Sequence, residues 1–99
     1  MLTLAQVPQT VAKESLREYR FAAQDVLTTA ADRQSRRHHA ERATTLGNAH
    51  HGKVNIYFRT ADGAVKRVQT TIWANDADHL TLKAGNFLPL RCVLGFDFC

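Results

Sequence analysis

Arginine is the residue type in this chain whose placement most suggests chemistry. Arg33, Arg36, Arg37 and Arg42 fall in a single run, RQSRRHHAER. A planar guanidinium matches phosphate oxygens two at a time, so arginines on one helix face can grip a phosphate backbone. Arg33 with Arg37, and His38 with Arg42, stand four apart and so share faces of a helix. Lys53 extends the basic run, and Tyr57 and Trp73 are strand aromatics on non-core faces, where they can stack on bases. These seven residues are the candidate nucleic-acid contacts, and RNA or single-stranded nucleic acid is the partner they suit. The competing reading is a solvated helix face with Trp73 packed beneath the helix. No sequence-specific DNA-reading motif is recognisable.

Charge placement supports the focus on this segment. The chain carries 13 Lys and Arg against nine Asp and Glu, a formal net charge of +4. Residues 33–53 hold five of the bases and one acid, Glu41, so 5 − 1 = +4; the other eight bases and eight acids cancel. Four of the five histidines lie in the same stretch.

Other chemistries find little support. The doublets His38-His39 and His50-His51 put adjacent residues on different sides of a helix, and the i, i+4 pair of an HExxH site is missing. His79 opens a strand. Ser15 and Ser35 fall on predicted helix, away from any strand-turn-helix elbow. Asp76 and Asp78, beside Asn75, read as turn residues. There is no glycine-rich phosphate loop. The sequence therefore predicts no enzyme activity, no metal and no cofactor. Cys92 and Cys99 are too few for a disulfide framework in so small a chain, and Cys92 reads as a small apolar core residue.

Ninety-nine residues, 44% of them apolar, make one small domain with one core. No run is long enough to span a bilayer. The opening MLTLAQVP lacks a basic n-region and a long apolar h-region, so a cytoplasmic, bacterial-type protein is expected. Met1 to Val7 are apolar and can add an edge strand or a hydrophobic hook.

The elements that must position the candidates divide into a helical arm over 1–48 and a β unit over 49–99. Apolar steps of three and four from Val11 through Leu16, Tyr19, Ala23 and Val26 to Ala30 predict a first helix over about 10–31. Thr28 to Asp32 weakens the pattern, and a second helix is expected over about 33–46, capped by Asp32 and closed by Gly47 just past its end. Then alternation takes over. Val54, Ile56 and Phe58 point one way and Asn55, Tyr57 and Arg59 the other. Asp62-Gly63 marks a hairpin turn. A long bent strand over 64–74 follows, with Val68, Thr70 and Ile72 on one face and a bulge expected near Lys66-Arg67, because Val65 is out of phase. Short strands over 79–83, 87–90 and 93–98 complete the set, and Pro89 places the fourth at an edge. The expectation is an α+β protein: one or two N-terminal helices, then a small antiparallel five-stranded β-barrel of the SH3-like or Sm-like kind, lidded by the preceding helix.

The run from Leu46-Gly47-Asn48 through Lys53 to Phe58, Thr70 to Ala74 (TTIWA), Leu82 to Gly85 (LKAG) and Leu88-Pro89-Leu90 resembles a family of small uncharacterised bacterial proteins. The resemblance covers the C-terminal half and implies a domain boundary but no activity. Helix-then-five-strand order is similar, more weakly, to Sm-like proteins, without their nucleotide-binding signature. Arg33-x-x-x-Arg37 ahead of a barrel is similar to the first motif of PilZ domains, but the second motif has no counterpart at Asn48 to Gly52, where its serine is missing.

These observations lead to a non-enzymatic small-barrel binding module. Self-association through the first helix is expected, because that helix carries more apolar surface than a tiny barrel covers. The alternative is RNA or single-stranded nucleic-acid binding through residues 33–53.

Overall fold

The computed structural model describes residues 8–98. The readings of Met1 to Val7 and of Cys99 lie outside them. Strand β1 (Gln9–Val11) is followed by a 3-10 turn at Lys13–Glu18 and then by the helix α1 (Ala30–His50). Six strands follow: β2 (Val54–Arg59), β3 (Val65–Thr70), β4 (Ile72–Asn75), β5 (His79–Leu82), β6 (Phe87–Pro89) and β7 (Val93–Phe98). The strands form two sheets, one ordered β1-β3-β2-β7 and one ordered β4-β5-β6. The protein is thus α+β, with one helix leading into strands in two sheets. The ladders do not close these sheets into a barrel.

Alternation reads correctly across the strands. Val54, Ile56 and Phe58 are fully buried, while Asn55, Tyr57 and Arg59 on the other face are half-buried. The Asp62-Gly63 hairpin joins β2 to β3 in continuous antiparallel register, from Val54 opposite Thr70 to Arg59 opposite Val65. Gly63 supplies the positive φ of 86°, and Asp62 accepts from the Ala64 amide and the Thr60 hydroxyl. The bulge expected at Lys66-Arg67 is absent from this register. Val65 is out of phase because it sits on the outward face with Arg67 and Gln69. Lys66, on the inward parity, escapes at the sheet end: its ammonium lies over the Tyr19 ring and bonds Gln9 Oε1 at 2.9 Å. The irregularities fall instead in β7, opposite Tyr57 and Phe58, and in β4 at Trp73.

The bent second strand is divided at Thr71 into β3 and β4, so it serves both sheets. Pro89 lies in β6, an outer strand of the three-stranded sheet, where its missing N–H costs no internal ladder bond. Asp76 is a turn residue: its Oδ1 accepts from the amides of Asp78 and His79, both at 2.8 Å. Cys92 is buried with Sγ 3.0 Å from the Pro89 carbonyl, and burial pushes its thiol pKa up to about 12.

The first predicted helix, about 10–31, is not formed. Thr10 is in β1, which runs parallel to β3. Beyond the 3-10 turn the backbone bonds outward to strand ends: the Ala22 amide donates to the Arg59 carbonyl, the Val26 amide to Arg91, and the Ala61 amide to the Arg20 carbonyl. The apolar residues read as a helical stripe are delivered to the core by this wrapping chain. Leu16 is 1% exposed, and Tyr19, Phe21 and Ala22 pack against the same cluster. The Phe21 ring meets Phe58 edge-on at 5.9 Å. Tertiary burial has overridden helix propensity. The helical surface expected to drive self-association is therefore not present.

The second helix is real and longer than the predicted 33–46. Thr29 caps it, its side chain accepting from the Asp32 amide at 3.1 Å, so Asp32 is the capped and not the capping residue. The helix runs on through Gly47 to a left-handed His51 at φ 53°. Gly47 is needed for space, not for a turn: a Cβ there would stand 2.3 Å from the Ile72 carbonyl oxygen. Arg36, Ala40, Ala43 and Gly47 form the buried face. Ala40 and Ala43 join one core with Ile56, Ile72, Leu82 and Val93.

Alanine is the better helix former by about 1 kcal/mol, yet Gly47→Ala should destabilise the protein by about 1–3 kcal/mol, because a backbone atom of β4 must move to admit the methyl. Urea unfolding of the single variant measures this.

Candidate functional site

Arg36 is the arginine that does not behave as a surface residue. It is 6% exposed. Its Nη1 and Nη2 bond both carboxylate oxygens of Asp25 at 2.8 and 2.7 Å, and Nη1 also donates to the Val93 carbonyl at 3.1 Å. This fork ties α1 to the loop before it and to β7. Asp25 is held in turn by the Leu27 amide at 2.9 Å. The hydrogen bonds from Arg36 hold the Asp25 carboxyl below its ordinary value of 3.8, with the Leu27 amide and the charges of Arg36 and Arg33 adding to the effect and desolvation opposing it.

The other arginines do not form one patch. Successive helix residues rotate by about 100°. That step puts Arg33 and Arg37 on one flank of the buried stripe and Arg42 on the opposite flank. Arg33 is also occupied, its Nε bonding the Leu27 carbonyl at 2.9 Å and lying 3.5 Å from Asp25. Arg37 is exposed. Arg42 stacks over the Phe98 ring, its Cζ 4.8 Å from the centroid. Lys53 is exposed immediately before β2, at the end of the sheet where Val54 pairs with Phe98. Tyr57 sits in the middle of β2, and Trp73, 46% exposed, lies in the other sheet on β4. Trp73 is therefore not under the helix, and the two aromatics are not brought together.

What the fold does assemble is a half-open cleft of about 430 Å³ between the N-terminal half of α1 and the β2–β7 pair. Asp32, Ser35, Arg36 and His39 form its helical wall, and Tyr57, Leu94, Gly95 and Phe96 its sheet wall, with Leu27 between them. The i, i+3, i+7 spacing of Asp32, Ser35 and His39 places them on one helix flank. His39 is braced by an edge-on contact with Phe98 at 6.2 Å. Gly95 lies directly across the ladder from Tyr57, and a Cβ added there would meet no atom within 4 Å. A smaller hollow of about 330 Å³ lies beside Leu16, Arg17, Phe21 and the 60% exposed Phe87.

Of the residues singled out from sequence, Tyr57 and Arg36 line the cleft. Arg42 and Lys53 stand at the Phe98 end of the same sheet region, while Arg33, Arg37 and Trp73 lie away from the cleft lining. Asp32, Ser35, His39 and Gly95 were missed as a group. Ser35 and His39 stand in the sequence without a partner at catalytic or metal-ligand spacing, and Gly95 becomes visible only once the β2–β7 register is known. Among the described residues no three His, Cys, Asp or Glu side chains converge as a metal site. Among them, too, no helix is long and apolar enough to cross a membrane. No protein-family model, curated protein or solved structure matches the chain.

Breaking the buried fork should be costly. Asp25→Ala leaves the Arg36 charge buried and unpaired, and should lose about 2–4 kcal/mol, somewhat under the range for a fully buried pair. Because the carboxyl titrates lower in the folded than in the unfolded protein, its contribution is complete above pH 3.8 and disappears as pH falls through the folded value. Denaturation at pH 6 and at pH 3 should accordingly show a smaller acid loss in Asp25→Asn than in the natural chain.

Proposed function

We propose that this protein is a non-enzymatic binding module and that the cleft between α1 and the β2–β7 pair is its ligand site. The observation that carries the reading is the convergence of four polar side chains, Asp32, Ser35, His39 and Tyr57, on a concave surface with apolar footing from Leu27, Leu94 and Phe96. Concave, mostly apolar sites with a few aimed polar groups are where small ligands and exposed rings bind. A Cβ added at Gly95 would meet no atom within 4 Å, so the backbone there is open to a ligand.

The small-barrel reading has support of its own. The order β7-β2-β3 continues through the shared bend at Thr71 into β4-β5-β6, which is the strand sequence of an SH3-like barrel, and both sheets contribute to one core. On that reading α1 stands beside the barrel and makes one wall of the site.

Gly95→Leu fills the cleft without touching the core, so its stability should stay within about 0.5 kcal/mol of the parent. Aromatic fragments screened by NMR should shift the amides of Ser35, Gly95 and Phe96 in the natural chain, and the shifts should vanish in Gly95→Leu. Fragments gathering only around Phe87, with the Gly95 region silent, would refute this assignment.

A further inference from the structure

The outward face of the four-stranded sheet, next to the cleft, has a composition that the helix does not. On β2 it presents Asn55, Tyr57 and Arg59. Tyr57 is the central residue, with Arg67 directly across the ladder on β3 and Gly95 directly across on β7. Cations dominate: Lys53 immediately before β2, Arg59 and Arg67 stand against one carboxylate, Asp97. Arg67 uses Nε to bond Thr10 Oγ1 at 2.9 Å, which fixes the guanidinium on the face while leaving its terminal nitrogens outside that bond. Arg59 carries a buried Nε with no hydrogen-bond partner.

We infer that this face binds single-stranded nucleic acid, with one base stacked on Tyr57 above Gly95 and the flanking phosphates on Arg67, Arg59 and Lys53. This rests on the cleft reading and names the ligand class for it. The charge sign selects a polyanion. The central aromatic selects an unpaired base, because a base inside a duplex has no free ring face to offer. The absent side chain at Gly95 leaves the second half of the ring's footprint open. The helical wall then meets the base edge with a carboxylate at Asp32 and a hydroxyl at Ser35, an acceptor and a donor-acceptor at one rim. Arg33 and Arg37, the cations most prominent in the sequence, take no part.

The test is fluorescence anisotropy with labelled oligouridylate and oligothymidylate of about 12 nucleotides, a length within the site sizes of small folds. The natural full-length chain should bind, and binding should fall steeply with salt. Tyr57→Ala should weaken it about 5- to 100-fold, the loss of one stacked base, with Tyr57→Phe restoring most of it. Arg67→Glu should weaken it at least tenfold and lower the salt slope by more than about one unit. Arg37→Glu should change it less than about twofold. Tighter binding of one oligomer over the other identifies RNA or DNA as the source. No binding of either, equal binding by Tyr57→Ala, or loss through Arg37→Glu alone overturns the inference. Its failure is separable from that of the cleft: fragments that still shift Gly95 while oligomers do not bind leave the cleft standing. Tyr57-dependent oligomer binding that Gly95→Leu leaves unchanged also overturns the inference, because the stacked base is placed above Gly95.

Discussion

The buried Arg36 fork is the interaction on which the arrangement depends. Burying a guanidinium costs several kcal/mol unless its charge and donors are matched. Here Asp25 in the preceding loop and the Val93 carbonyl at the start of β7 match the charge and the terminal nitrogens, while the buried Nε has no hydrogen-bond partner. The fully buried residues of the helix are otherwise alanines and a glycine, which remove little apolar surface from water, with Leu46 partly buried beside them. Position along the strands is consequently set by polar geometry at one end and by close approach at the other, where Gly47 meets the Ile72 carbonyl. Asn75 adds a third tie, its amide donating to Thr44 at 2.8 Å. A helix pinned in this way holds Asp32, Ser35 and His39 at a fixed stand-off from β7, and that stand-off is the cleft.

The same fork fits the absence of helix over residues 19–29. Continued helix ahead of Thr29 would carry Asp25 away from Arg36 along the helix axis. The chain instead folds back, with Val26 bonding Arg91 and Arg91 bonding the Ala22 carbonyl at 2.8 Å, and it presents Asp25 from the side. Sequence spacing could not reveal this. Steps of three and four among Leu16, Tyr19 and Ala23 fit a helix, but they fit equally a loop that drops Leu16, Tyr19 and Phe21 into the core one at a time. The strands were legible for the opposite reason. Val54, Ile56 and Phe58 alternate over a span too short for a helix, and the turn residues Asp62, Gly63 and Asp76 each carry out locally what their side chains favour. Gly47 was recognisable as special, though its role is to admit a neighbouring backbone and not to end the helix.

Candidate contacts were legible only as far as local geometry reaches. Outward placement of Tyr57 follows from period two and holds. That Arg67 and Gly95 flank it follows from register, which depends on the hairpin and on the irregularity in β7, and neither can be counted from composition. The arginine run is not gathered into one patch. Four cations close in sequence look like one charged patch, yet a helix with a buried stripe distributes them to both of its flanks and recruits the residue in the middle, Arg36, for structure.

This division of labour bears on how the molecule can bind. Arg33 and Arg36 are committed to Asp25 and Leu27, and a ligand that recruited them would have to break the contacts that hold α1 in place. Groups on β2, β3 and β7 are different, since their backbone positions are fixed by ladders on which no ligand need intrude. A side chain mounted on a central strand loses little further freedom when it meets a partner, and preorganisation of that kind lowers the entropic cost of association. A sheet face with one aromatic at its centre and cations around it can therefore bind without remodelling the fold, whereas the basic helix cannot use its buried arginine without loosening it. On the proposed reading β2 is the primary contact and α1 a wall beside it, even though the helix carries the greater density of arginine.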